Sequence, residues 1–291
     1  MTKKIHQDII RLYDQYTHTP LERREFLRRL AGLAGGTAAA YALLPLLENN
    51  YARAQTVTED DERLSAGPVE FPGAGAVMLS GYMARPLGIR TLPGVLVIHE
   101  NRGLNPYIRD VTRRLALGGY VALAPDMLSP EGGTPEDSDQ AREMIGALDT
   151  QVTVAHLEAA VRFLEDLEDT TGDVGIVGFC WGGGMVNRLA TRLPGLDAAV
   201  MFYGRNPDLE RVPEIQAPLL LHYAGLDERI NAGIPDYEAA LREAGVDYTL
   251  HLYEGVNHAF HNDTNEARYD EQAAALAWER TMAFFDEHLK G

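Results

Sequence analysis

The sequence predicts an α/β fold, in which a mainly parallel sheet carries helices on both faces. The first observation is a series of short, continuous apolar runs, of which residues 95–98 and 174–177 are the clearest. Such runs are typical of parallel strands that are buried on both faces. The second observation is that segments of helical character separate these runs along the chain, as the crossovers of a parallel sheet require.

The predicted elements follow one another without an internal repeat. Strands are predicted at residues 77–84, 95–98, 121–124, 174–177, 198–202, 219–223 and 248–253. Helices are predicted at residues 107–117, within 138–167, and at 182–192, 234–243 and 265–289. These elements make up one predicted domain at residues 67–291, which follows a polar linker at 55–66 and a distinct segment at 1–54.

The composition argues against several classes of function. The formal charge of the 291 residues is −17, and so acidic a surface repels phosphate backbones, so no nucleic-acid partner is expected. Cys180 is the single cysteine, which excludes an intramolecular disulfide. The four serines, Ser65, Ser80, Ser129 and Ser138, all lie outside a Gly-x-Ser-x-Gly motif. An ordinary serine esterase is therefore not expected.

Residues 1–54 differ from the rest of the chain in charge and in pattern. They hold eight basic and five acidic residues, whereas the whole chain is strongly acidic. Arg23-Arg24, followed by Glu25-Phe26-Leu27, has the pattern of a twin-arginine signal, and an uncharged stretch follows at residues 30–47. The segment therefore predicts a precursor that the twin-arginine export machinery carries to the periplasm or out of the cell.

The end of this segment predicts a cleavage site. Ala52-Arg53-Ala54 offers small residues in an A-x-A pattern, so the mature chain would begin near Gln55 and have no membrane attachment. The alternative is a retained membrane anchor, since an uncharged stretch of this length could just span a bilayer. Several glycines and Pro45 weaken such a helix.

A candidate nucleophile lies between a predicted strand and a predicted helix. Gly178-Phe179-Cys180-Trp181-Gly182 has the pattern of a nucleophile elbow with cysteine in place of serine. Glycine is needed at 178 and 182 because side chains there would clash with neighbouring elements in so tight a turn. The turn also aims a helix N-terminus at the sulfur, which favours the thiolate.

Two further residues follow strands in the order expected of an α/β hydrolase. Asp227 follows the strand at 219–223, and His258 follows the last predicted strand. The loops at the carboxyl ends of parallel strands meet at one edge of the sheet, so these residues are expected beside Cys180. His258 would carry the proton and Asp227 would hold its ring. No metal site is expected, because the chain has neither an H-x-x-x-H motif nor a cysteine pair.

These motifs resemble the dienelactone hydrolase family. The resemblance rests on the residues 178–183, Asp227 and His258, together with the stretches 157–163 and 99–105, and it covers about residues 65–290. It implies an α/β-hydrolase fold and hydrolysis of a small-molecule ester or lactone such as carboxymethylenebutenolide, without a cofactor.

The resemblance also implies roles for the loop after the third predicted strand. Glu100 matches a glutamate that holds the resting thiol and takes its proton when substrate binds. The alternative is that Glu100 is the structural partner of a nearby arginine, because a buried carboxylate is costly unless it is paired. The backbone N–H groups of Asn101 and Trp181 would form the oxyanion hole.

The sequence departs from the family where the substrate carboxylate would bind. Ser138 and Asn262 occupy the positions of two arginines, and neither can hold an anion by charge. Arg102 and Arg142 could substitute, or each could form a surface ion pair. The reaction class is therefore predicted more firmly than the substrate, and two alternatives stay open. One is a carboxylesterase or thioesterase of broad specificity, and the other is a secreted binding protein without activity on the same fold.

Overall fold

In the computed structural model, which describes residues 5–53, 56–88 and 91–291, eight strands form one sheet. The strands are β1 (Leu64–Pro72), β2 (Met78–Pro86), β3 (Leu92–Ile98), β4 (Val121–Pro125), β5 (Thr170–Phe179), β6 (Ala198–Phe202), β7 (Leu219–Ala224) and β8 (Tyr248–Tyr253). Their order is β1-β2-β4-β3-β5-β6-β7-β8. All neighbours from β4 to β8 are parallel, and β1 and β2 add an antiparallel edge. The predicted fold class is confirmed.

Helices cover both faces of this sheet and also precede it. They are α1 (Gln7–His18), α2 (Arg23–Ala34), α3 (Thr37–Leu47), α4 (Pro106–Leu117), α5 (Ser138–Ala147), α6 (Thr150–Glu165), α7 (Trp181–Ala190), α8 (Glu228–Asn231), α9 (Ile234–Ala244) and α10 (Glu271–Leu289). The apolar side chains of α4 and α10 belong to one core cluster, and those of α6, α7 and α9 belong to the other.

The central strands are buried on both faces where they are apolar, as at residues 93–98 of β3 and 174–179 of β5. In β3, Val95 and Val97 join the first core cluster, whereas Leu96 and Ile98 join the second. This alternation is the two-residue period of a strand, applied to a run without polar positions. Because these strands are parallel, the carboxyl ends of β3, β5, β7 and β8 lie along one edge of the sheet. The loops that carry the candidate site begin at this edge.

The structure corrects two predicted boundaries. The predicted linker at residues 55–66 ends inside β1, which begins at Leu64 and pairs along its whole length with β2. The last helix begins at Glu271 rather than at residue 265. Residues 265–270 form turns instead, because the Asn265 side chain donates hydrogen bonds to the Leu47 carbonyl and to Asn49, and Asp270 caps α10.

The N-terminal helices form a small unit with its own core. The buried apolar residues of this core are Ile9, Leu12, Tyr13, Tyr16, Phe26, Leu30, Ala40, Leu44 and Leu47, which are separate from the two clusters of the sheet. The ring of Phe26 stacks on that of Tyr16 at a centroid distance of 4.4 Å. Gly35, with φ of +82°, ends α2, so the uncharged stretch at 30–47 is divided between α2 and α3.

Polar contacts join this N-terminal unit to the rest of the chain. Arg23 Nη1 lies 2.6 Å from Asp139 Oδ2, and Arg11 Nη2 lies 3.0 Å from Glu228 Oε1. Among the described residues, no single helix is long and apolar enough to cross a membrane. Residues 23–34 and 37–53 meet the length and composition criteria only together, and they are bent by 109°. The predicted cleavage point at Ala54 and Gln55 lies outside the described residues.

Candidate active site

Cys180 occupies a strained turn between β5 and α7. Its backbone has φ of 55° and ψ of −110°, a conformation that costs free energy in any residue other than glycine. A Cβ on Gly178 would lie 2.3 Å from the Gly182 carbonyl oxygen, and a Cβ on Gly182 would lie 2.3 Å from that of Ile98. Both predicted glycines are therefore required by sterics, and the elbow geometry predicted from the sequence is present.

His258 and Asp227 lie beside this turn, on the loops that follow β8 and β7. His258 Nδ1 is 2.5 Å from Asp227 Oδ2, and both side chains are almost fully buried. The carboxylate accepts the proton on Nδ1, so Nε2 is the nitrogen that can exchange a proton with a neighbouring group, and it has no hydrogen-bond partner among the described residues. Burial lowers the pKa of His258, but Asp227 and Cys180 outweigh it and raise that pKa to about 10.

A second histidine contacts the sulfur, and the sequence did not predict it. His18, the last residue of α1, has its Nε2 3.2 Å from Cys180 Sγ. Its Nδ1 faces the Asp14 carbonyl oxygen at 2.8 Å and Asp14 Oδ1 at 3.1 Å. Burial lowers the pKa of His18, but the Cys180 thiolate and the Asp14 carboxylate outweigh it, and the net shift is upward.

Two imidazoles therefore meet at one sulfur. A nitrogen of each histidine and the Cys180 sulfur all lie within 4.8 Å of one another. Burial raises the pKa of the thiol, yet the nearby His18 and His258 lower it well below its usual range, which favours the thiolate. Two imidazoles and a thiolate are also donors that zinc prefers. No spacing rule predicts this set, because its members come from three distant parts of the chain.

Arg229 stands between the two carboxylates that support these histidines. Its Nε lies 3.7 Å from Asp14 Oδ2, and its Nη2 lies 3.9 Å from Asp227 Oδ1. The guanidinium charge helps to keep both carboxylates ionised. The pKa of Asp14 is lowered well below its usual range, because His18, His258 and Arg229 together outweigh the opposing effect of burial.

Glu100 reaches the site, but its hydrogen-bond partner is not the thiol. Its Oε2 accepts a hydrogen bond of 2.7 Å from Asn262 Nδ2, while Oε1 is buried without a partner among the described residues. Burial and the Cys180 charge raise the pKa of this carboxyl group. Asn262, which stands where the family has an arginine, thus binds Glu100. The described hydrogen bond of the thiol is to His18.

The two backbone N–H groups predicted for the oxyanion hole belong to the loop after β3 and to the start of α7. Trp181 is the first residue of α7, so its N–H has no acceptor within the helix. Asn101 directly follows Glu100, and its side-chain amide donates 2.9 Å to the Thr17 carbonyl oxygen of α1. Neither backbone N–H takes part in a described hydrogen bond, so both are available to an oxyanion.

The two arginines proposed to bind substrate are engaged by the N-terminal unit. Arg102 is buried and donates to the Tyr13 hydroxyl at 3.3 Å. Arg142 donates to the Tyr16 carbonyl oxygen and lies over the ring of Tyr16, 4.5 Å from its centroid. The alternative of surface ion pairs is thus wrong for Arg102, whose described partner is a buried phenol. Their role in binding an anionic substrate stays a prediction.

A cavity of about 980 Å³ opens onto the sulfur. The N-terminal unit forms one wall of it with residues 16–23, and α5 and α7 contribute to the others. Cys180, His18, His258 and Arg142 all line it, whereas Arg102 does not. Asn101 also lines the cavity, so a small molecule within it could contact Cys180, both histidines and Asn101.

A cysteine at a nucleophile elbow, on the carboxyl edge of a mostly parallel eight-stranded sheet, defines an α/β-hydrolase-fold protein. The model of the dienelactone hydrolase family matches residues 79–289, and the chain belongs to that family of hydrolases. A second family model, described as YqhI-like, matches residues 1–35.

Curated relatives and solved structures agree with this assignment. A "Putative carboxymethylenebutenolidase" of Saccharolobus solfataricus is 37% identical over 250 residues, which cover 74% of this chain and 96% of the relative. A "Probable 2-oxo-3-(5-oxofuran-2-ylidene)propanoate lactonase" of Bradyrhizobium is 34% identical over 224 residues, covering 72% and 90%. The crystal structure of a "Putative Dienelactone Hydrolase" of Klebsiella pneumoniae superimposes with a TM-score of 0.71 at 29% identity, covering 77% of this chain and 99% of that one.

Proposed function

We propose that the chain hydrolyses a small ester or lactone, without a cofactor, through a thioester on Cys180. The observation that carries the proposal is the strained elbow at Cys180, whose sulfur lies within 4.8 Å of a nitrogen of the buried His258, while Asp227 holds Nδ1 of that ring. This is the arrangement of an activated nucleophile with an oriented base. Lactones are the first class to test, because the relatives named above carry the names of lactone hydrolases.

The reaction has two balanced halves. The thiolate attacks the substrate carbonyl, the C–O bond breaks, and the leaving oxygen takes up the proton that the thiol has released to an imidazole. Water then attacks the thioester and gives its proton to His258, the C–S bond breaks, and the sulfur takes that proton back. The N–H groups of Asn101 and Trp181 stabilise the negative charge on the carbonyl oxygen in both halves.

Capture of the thioester tests this proposal. The full chain is mixed with p-nitrophenyl acetate, quenched in acid and weighed by intact mass spectrometry, and a panel of lactones, aryl esters and thioesters is assayed in parallel. An acetyl adduct should form on the wild-type chain and be absent from Cys180→Ala, which should also have lost turnover by about 10⁴-fold or more. Activity of Cys180→Ala within tenfold of wild type would show that the elbow is not the reacting site.

A second proposal concerns location. Arg23-Arg24 and the uncharged stretch after them support export of the folded chain by the twin-arginine machinery, which also suits a chain without disulfides. The contacts of α1 and α2 with the rest of the chain favour the version in which residues 1–54 stay attached after export. Cell fractionation should find the wild type in the periplasm and Arg23→Lys with Arg24→Lys in the cytoplasm, and the intact mass should include residues 1–54.

A further inference from the structure

The N-terminal unit brings a complete second proton-handling pair to the sulfur. His18 and Asp14 are four residues apart on α1, so both side chains lie on the same face of one helix. Because Nδ1 of His18 faces three oxygens, those of the Asp14 carbonyl, the Asp14 carboxylate and the Thr17 hydroxyl, it carries a ring proton. Nε2 is then the nitrogen that exchanges a proton with the sulfur, and it lies 3.2 Å from Cys180 Sγ.

The contacts around His18 hold this geometry from several sides. The Thr17 carbonyl oxygen accepts from the Asn101 side chain, and the Tyr16 hydroxyl donates 2.6 Å to Asp139. The His18 side chain is only 9% exposed, and its ring meets that of His258 edge-on at 4.5 Å. His18 is therefore packed against reacting atoms rather than placed near them by a loose terminus.

We propose, on the basis of the function proposed above, that His18 is a further catalytic residue, which takes the proton of Cys180 and returns it to the leaving oxygen. His258 is then free to take the proton of the hydrolytic water. The geometry supports this division, because His18 Nε2 lies 3.2 Å from the sulfur. His258 has a nitrogen within 4.8 Å of the sulfur, but its Nε2 is left without a partner among the described residues that meets the distance and angle of a normal hydrogen bond. In the first half His18 gains the thiol proton and gives it to the leaving oxygen. In the second half His258 gains a proton from water and gives it to the sulfur, so the number of protons is conserved.

The consequence for the chain is that residues 5–53 belong to the working enzyme. Cleavage near residue 54 would remove His18 and Asp14 together with one wall of the cavity. The match of a family model to residues 1–35 shows that this segment is also recognisable in its own right. An active form that lacks residues 1–54 would have to work with His258 alone.

Burst kinetics with p-nitrophenyl acetate separate the two histidines. His18→Gln should slow the burst, which measures acylation, by about 10²-fold, the size expected for one positioned proton acceptor. The steady phase, if it is limited by hydrolysis of the thioester, should stay within about threefold of wild type. His258→Gln should slow chiefly the steady phase, because His258 takes the proton of the hydrolytic water. The matched control is His6→Gln at the other end of α1, where the side chain is 74% exposed and remote from the sulfur.

Alkylation of Cys180 by iodoacetamide, followed by intact mass from pH 5 to 9, gives a readout independent of turnover. The groups that face the sulfur or support the imidazoles are His18, His258, Glu100, Tyr203, Asp14, Asp227 and Arg229. Removing one of two cationic partners should move the alkylation midpoint of His18→Gln upward by about one to three pH units, and His6→Gln should leave it in place.

The proposal and the function on which it rests fail in different ways. An unchanged burst and an unchanged alkylation midpoint in folded His18→Gln would overturn the role of His18 and leave the thioester mechanism standing. If His18→Gln has a lowered melting temperature, the same measurements are made on Asp14→Asn. This variant keeps His18 and removes only the charge that supports it. Full activity of a natural form without residues 1–54 would also overturn the role of His18. Activity of Cys180→Ala would instead overturn the mechanism itself.

Discussion

The two histidine–aspartate pairs at Cys180 come from regions that are built in different ways. Asp227 and His258 are 31 residues apart and are brought together by the adjacent strands β7 and β8. Asp14 and His18 lie on one turn of α1 and would be neighbours in any helix, but only docking of the N-terminal unit brings them to the sulfur. The sheet therefore fixes the first pair rigidly, whereas the second pair depends on the stability of a small separate core.

The two pairs also differ in how the ring proton is held. Nδ1 of His258 has the Asp227 carboxylate at 2.5 Å, while Nδ1 of His18 has both a main-chain oxygen and a carboxylate. Loss of the carboxylate should thus disturb the tautomer of His258 far more than that of His18.

The matched pair Asp227→Asn and Asp14→Asn gives the largest expected effects. Asp227→Asn should lower kcat/KM by about 10³-fold, because the wrong tautomer of His258 becomes available. Asp14→Asn should lower it by about tenfold, because the Asp14 carbonyl oxygen still holds the His18 proton. Steady-state kinetics on both variants provide the measurement. Equal losses would mean that the two pairs are held in the same way.

Glu100→Gln tests whether the buried carboxylate takes part in catalysis together with Asp227 and His258. If Glu100 exchanges a proton with the thiol, turnover should fall by about 10²-fold. Burial raises the pKa of Glu100 above its ordinary 4.5. The buried carboxyl group therefore does not destabilise the fold below pH 4.5, where it is protonated in both states, and it lowers the free energy of unfolding as pH rises through the folded-state pKa. The variant should therefore gain in melting temperature relative to wild type as pH is raised, since its amide can still accept from Asn262.

The control for this variant is Glu136→Gln, the same change at an exposed position. A loss of melting temperature at pH 7 with intact turnover in Glu100→Gln would make Glu100 a structural group and remove it from the catalytic residues.

Phe26→Ala tests the dependence of His18 on docking, and its effect on turnover should be the smallest. Phe26 is 1% exposed and packs on Tyr16 and Tyr13, so its loss opens a cavity in the N-terminal core at a cost of about 3–5 kcal/mol. Acylation should slow by up to about tenfold as α1 spends more time undocked, and hydrogen exchange should accelerate only in α1–α3.

Leu33→Ala on the same helix is the control, because Leu33 is 49% exposed. Uniform acceleration of exchange through the sheet would show that the N-terminal unit and the sheet unfold as one, and would contradict the division between the two regions.

Much of the sheet-derived site was predictable because few arrangements satisfy its sequence. Apolar runs predict the parallel strands, the glycines at 178 and 182 allow one tight turn, and the order of Cys180, Asp227 and His258 then places all three at one edge. Strand β1 was missed because it is an edge strand of mixed polarity that contains Gly67 and Pro68.

The contribution of α1 was not predictable from pattern alone. Basic residues, an uncharged stretch and small residues are typical of an export signal, and they also suit three short helices around a small core. Ile9, Tyr13 and Tyr16 lie on one face of a helix, with Asp14 and His18 four residues apart, and this spacing was the signal that could have indicated a docked helix. Its docking site depends on contacts with Asn101 and Arg142, which no local rule specifies.

The order in which the chain is synthesised gives the separate core of α1–α3 one more consequence. His18 leaves the ribosome 162 residues before Cys180, which at about 5–20 residues per second is a wait of roughly 8–32 s. A unit with its own buried core can fold during that wait, although nothing yet covers the face that will meet the sulfur. Cys180 then leaves the ribosome before His258 has been made. The three side chains that meet in the finished structure can therefore come together only near the end of synthesis.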